Sequence, residues 1–97
     1  MTPEHLQEVL QLCEAGSEGD RGFREFPQKT TLTLYLAKDS VGLTITGIEA
    51  IAVRGHRAHA RTVKGDLYVI TLDDVFAANI EGRAKAKAER RAGFAAG

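Results

Sequence analysis

The sequence predicts an α+β domain: an N-terminal helix, a four- to five-stranded antiparallel sheet or partly closed small barrel, and a C-terminal helix. Three observations predict it. Apolar residues near the start recur at helical spacing, two central stretches alternate apolar with polar residues, and a hydroxyl–carboxylate pair around residue 73 opens a second run with helical spacing. Ninety-seven residues leave room for one core, so 1–82 reads as a single domain and 83–97 as a basic helical extension with a frayed tail.

The first helix is predicted over 3–15. Thr2 can cap a free backbone N–H, Pro3 fits the first helical position and Glu4 suits the positive end of the dipole. Leu6, Val9, Leu10 and Cys13 then lay one apolar stripe along the helix, with Leu12 off it, and Gly16 supplies the stop. Residues 16–22 are polar and glycine-rich and read as a loop, which Phe23 and Phe26 pin to the core. The carboxylates of that loop lack the spacing of a calcium loop.

From Thr30 the pattern switches to period two. Leu32, Leu34 and Leu36 face one way, and Thr31, Thr33 and Tyr35 the other. Lys38-Asp39-Ser40 is a turn, so 30–37 and 42–46 form a hairpin. Gly47 breaks the alternation between Ile45 and Ile48, which predicts a bulge or bend and, with it, an extra strand or a curl toward a barrel. Residues 57–63 and 66–71 form a second hairpin around Lys64-Gly65-Asp66, and Leu67-Tyr68-Val69-Ile70, apolar on both faces, reads as a central covered strand. Thr71-Leu72-Asp73-Asp74 resembles a capping box, so the second helix starts at 73 with Phe76 and Ile80 facing inward. Beyond Ile80, Gly82 and the run Arg83 to Arg91 carry no large apolar stripe and either project into solvent or fray.

With 43% apolar and 27% charged residues the chain belongs with folded proteins rather than disordered ones. It has no tryptophan, so the core rests on smaller aliphatic side chains and gains from self-association. No apolar run is long enough to span a bilayer and the start lacks a secretory pattern, which predicts a cytoplasmic protein without membrane contact. The single Cys13 falls inside a helical stripe and reads as a small buried hydrophobe.

Charge is divided along the chain. Residues 1–50 carry eight acids against four bases, and residues 51–97 carry nine bases against five acids. Such a division points to a charged partner or to copies meeting head to tail. The candidate partner-binding residues are Arg54, His56, Arg57, His59, Arg61 and Lys64 on the strand 54–64, with Arg83, Lys85, Lys87, Arg90 and Arg91 in the tail. On a strand Arg57, His59 and Arg61 form a basic stripe opposite Ala58, Ala60 and Thr62, suited to carboxylates or phosphates. The plainer reading of the same row is a solvated edge that resists aggregation.

His56 and His59 lie on opposite faces of a strand and do not make a metal pair. No phosphate loop, nucleophile elbow or His-Glu metal motif is present, and Asp73-Asp74 serves a helix start rather than acid–base chemistry. The expectation is a non-catalytic module without cofactor or metal. It self-associates as a homo-oligomer and binds an acidic protein surface through its basic second half. The alternative is a small nucleic-acid-binding regulator using the strand 54–64 and the tail 83–91, although no aromatic residues interleave with those bases.

Overall fold

A computed structural model describes residues 1–82; the expected helical extension over 83–97 lies outside them. The helix α1 covers Pro3–Leu12, with the Thr2 hydroxyl accepting from the His5 N–H at 3.1 Å. It stops before the expected residue 15. Ala15 N–H donates to the Leu10 carbonyl and Glu14 N–H to that of Gln11, each at 3.0 Å, with Glu14 at φ 58°. These two bonds close the helix two residues ahead of Gly16, in the left-handed conformation that glycine usually supplies.

Six strands follow: β1 (Arg24–Glu25), β2 (Thr31–Lys38), β3 (Val41–Arg54), β4 (Arg57–Thr62), β5 (Leu67–Thr71) and β6 (Val75–Glu81). They form one antiparallel sheet in the order β5-β4-β3-β2-β6, with β1 beside the second half of β3. Lys38 pairs with Val41 across Asp39 and Ser40, both at positive φ, so β2 and β3 join through a two-residue turn whose twist matches the strands. The long β3 pairs first with β2 and then with β4. One bulge falls at Gly47, where three steps from Ile45 to Ile48 oppose two from Leu34 to Leu32, and a second falls at Glu49 against β4. Gly47 has φ 68°, a conformation costly for a residue with a Cβ.

Connectivity requires the sheet to curl. Flat, its outer strands would lie about 19 Å apart at four strand spacings. Thr71 at the end of β5 and Val75 at the start of β6 are four residues apart in the chain, a reach of at most about 14 Å. The 3-10 turn Leu72–Asp74 makes this short connection, held by Leu72 N–H donating to the His56 carbonyl at 2.7 Å. Leu6 and Leu10 of α1, with Cys13 at its C-cap, share a single core with Leu32, Leu34, Ile45, Ile48, Ile51 and Val75 from the sheet and Leu72 from the 3-10 turn.

Beyond the strand count, six where four or five were expected, two expectations are overturned. The C-terminal helix expected from residue 73 does not form: 72–74 is a single 3-10 turn whose Thr71 hydroxyl caps nothing, and 75–81 is a strand. The bulge responsible lies at Phe76, since Ala77 pairs with Tyr35 and Val75 with Leu36. It puts Phe76 outside while Val75 stays in the core, so the spacing of Phe76 and Ile80 imitates a helical face and pairing with β2 overrides the helix propensity of Ala77-Ala78. The second correction concerns 67–71, which is an edge strand rather than a central one.

Candidate interaction surface

The basic strand has the predicted alternation. Ala58, Ala60 and Thr62 are buried, whereas Arg57, His59 and Arg61 occupy the opposite face, the first exposed and the other two half-buried. Arg54 and His56 are exposed at the β3–β4 turn, and Lys64 is exposed in the β4–β5 turn. The tail residues Arg83, Lys85, Lys87, Arg90 and Arg91 lie outside the described residues.

These cations are not equivalent. Arg61 donates through Nε to Glu49 at 3.0 Å and through Nη2 to Glu25 at 3.4 Å, and its guanidinium stands 5.5 Å from the centre of the Phe23 ring. Its hydrogen bond to Glu49, joined by the bond to Glu25 and the charge of both acids, raises its pKa further. Acids of the first half of the chain therefore occupy Arg61, and it contributes little field to a partner. Arg54 donates through Nη2 to the Arg21 carbonyl, which fastens the 20–22 turn to the sheet. Arg57, His56, His59 and Lys64 make no ion pair among the described residues. Arg54 and Arg57 also face each other directly across the strand pair, an arrangement that repels unless an anion lies nearby.

Beside this basic row runs a surface the sequence reading missed. The outward positions of β5 are Leu67, Val69 and Thr71, paired with Arg61, His59 and Arg57. Leu67 is 56% exposed and Val69 60%, and Tyr68 and Val63 are exposed as well. Between Asp66 and Asp73 there is no charged residue. Edge strands normally carry a lysine, a proline or a bulge to discourage pairing with another chain, and β5 has none. The legible signal was that absence of charge, which the sequence reading took for burial. At the other edge, Phe76 on β6 is 69% exposed and its ring centre lies 6.3 Å from that of Tyr35. An open cleft of about 500 Å³ lies alongside, lined by Met1, His5, Val9, Val75, Phe76 and Ala78.

A smaller cleft of about 280 Å³ borders Arg61, with walls of Asp20, Arg21, Phe23, Glu25, Gly65 and Leu67. Of its charged groups, Arg61 and Glu25 are paired with each other. Cys13 is buried, and desolvation pushes its thiol up to about 11. It is a core residue and a poor nucleophile at neutral pH. Among the described residues no three His, Cys, Asp or Glu side chains converge on a metal position, and no helix is long and apolar enough to cross a membrane. No family model, curated protein or solved structure matches this chain.

Proposed function

We propose that this chain is a non-catalytic interaction module that assembles with copies of itself edge to edge and presents its unpaired basic residues to an acidic protein partner. The observation that carries the reading is β5, an apolar, uncharged strand at the open edge of the sheet. Its exposed Leu67 and Val69 supply apolar area, and its free backbone groups supply a pairing template. The β6 edge is the complement. β5 of one copy beside β6 of the next sets Leu67 and Val69 against Phe76 and the cleft beside it. Head-to-tail contact of this kind uses both open edges of every copy, whereas a two-fold contact through β5 alone leaves β6 exposed.

The acidic partner follows from the residues that remain uncompensated. Arg57, His56, His59 and Lys64 lie next to β5, so assembly repeats the basic row from copy to copy and concentrates positive potential along one side. Multiangle light scattering from low micromolar concentration upward tests the assembly, and a monodisperse monomer throughout would refute it. Adding an acidic peptide tests the partner: binding that weakens with salt and with Arg57→Glu is expected. A duplex or single-stranded oligonucleotide that bound where the peptide did not would favour nucleic acid in its place.

A further inference from the structure

We propose that the segment 83–97 docks on its own domain, with Phe94 seated in the cleft beside the β2–β3 turn and its cations over the acids in and next to the lining of that cleft. This inference stands independently of edge-to-edge assembly, because it concerns a different surface and a contact within one chain.

The cleft has a volume of about 170 Å³ and is lined by Leu36, Ala37, Lys38, Val41, Leu43 and Asp74. Small-molecule sites run to about 300–1,000 Å³, so this one suits a single side chain better than a ligand. Val41 is 69% exposed and Leu43 52%, although Leu43 points to the core side of the sheet opposite Leu36. An apolar residue aimed inward yet half in water marks an incomplete end of the core. Lys38 and Asp74 line the cleft with opposite charges, and two further acids are chain neighbours of the lining. Asp73 precedes Asp74, and Asp39 occupies the turn between the lining residues Lys38 and Val41.

The occupant is argued from composition, charge and reach. Phe94 is the one large apolar residue in 83–97, and five bases against the single acid Glu89 precede it. A positive segment ending in one aromatic anchor complements a small apolar cleft with an aspartate in its lining and two more beside that lining in the chain. β6 runs from the neighbourhood of the cleft at Val75 to Gly82, about 24 Å away along an extended strand. The twelve residues from Arg83 to Phe94 span up to about 40 Å when extended, enough to return along the molecule. A tether of that length holds Phe94 at an effective concentration of about millimolar order, so a weak seat is still filled.

The full chain contains no tryptophan, so Phe94→Trp introduces a single indole that can be excited on the red side of the absorption of Tyr35 and Tyr68. We expect blue-shifted emission and several-fold protection from acrylamide quenching relative to a synthetic 83–97 peptide with the same change, independent of protein concentration and diminished by salt. Val41→Asp or Asp74→Lys in that background should return emission to the peptide value. Leu12→Asp, placed at an exposed leucine on α1, should leave it blue-shifted. Emission equal to the free peptide overturns the proposal. So does protection that appears only as concentration rises, or an equal response to Leu12→Asp. Circular dichroism of each variant confirms that the domain is intact, and if Asp74→Lys unfolds it, Asp39→Lys serves in its place.

Discussion

Replacing Val69 with lysine puts a charge at the middle of the open β5 edge, where assembly requires an apolar contact. Fully burying a valine is worth at least about 1.5 kcal/mol, and Val69 is 60% exposed, so its unburied share amounts to about 1 kcal/mol. A lysine ammonium held at the contact without a partner adds about 1–3 kcal/mol against association. Together these weaken each contact by about 2–4 kcal/mol, which at 1.4 kcal/mol per tenfold is roughly thirty- to several-hundred-fold in dissociation constant. The isolated domain should be almost indifferent, because an exposed substitution of this kind changes stability by about 0.5 kcal/mol or less. Sedimentation velocity across a concentration series reads the first quantity and urea unfolding the second. Val63→Lys is the control, since Val63 is equally exposed but lies just beyond the end of β4. If Val69→Lys associates as tightly as the parent at unchanged stability, β5 is not the contact.

Other consequences follow from single sites. Ser40→Gly should stabilise the domain by about 0.5–1 kcal/mol in thermal or urea melts, because Ser40 holds φ 68° in a turn position that favours glycine; a loss of stability would mean that the turn differs from the one described. For Cys13 the native thiol loses its proton at about 11 rather than the ordinary 9.0, so the unfolded chain binds fewer protons between those values. The stability that Cys13 contributes is complete below pH 9 and declines through pH 11, by roughly 2–3 kcal/mol at 1.4 kcal/mol per pH unit, and Cys13→Ala should flatten that part of the profile. Arg61→Ala should cost only about 1 kcal/mol globally, since its ion pairs are solvent-exposed. It should nevertheless speed tryptic cleavage after Arg21, because Phe23 and Glu25 lose their anchor; an unchanged cleavage rate would argue that Arg54 alone secures that turn.

The parts of the fold that depend on neighbours close in sequence were legible before any coordinates. Thr2-Pro3 and the Leu6, Leu10, Cys13 stripe define α1, the alternation from Leu32 to Leu36 defines β2, and Gly47 marks the bend in β3. The outward stripe of Arg57, His59 and Arg61 was equally readable, because a strand's two faces are set by parity alone. What parity could not supply was the compensation of Arg61. Glu49 lies in a bulge of β3 and Glu25 on β1, and only the pairing of β1, β3 and β4 brings both to it.

Residues 67–81 show the same division from the other side. Their composition established one apolar segment, a turn and a second apolar segment, but it held no information about which neighbours those segments would have. Whether Leu67-Tyr68-Val69-Ile70 lies at the centre or the edge of the sheet depends on strand order, and whether Val75–Glu81 is helix or strand depends on β2 offering it a free edge. The bulge at Phe76 erased the period-two signal that would have given the strand away. Backbone hydrogen bonds in a helix close within a few residues, whereas those of a strand are made with distant chain. The sequence by itself therefore determined where the chain bends and which faces of its clear segments are apolar, and tertiary pairing decided which strands were left open to another molecule.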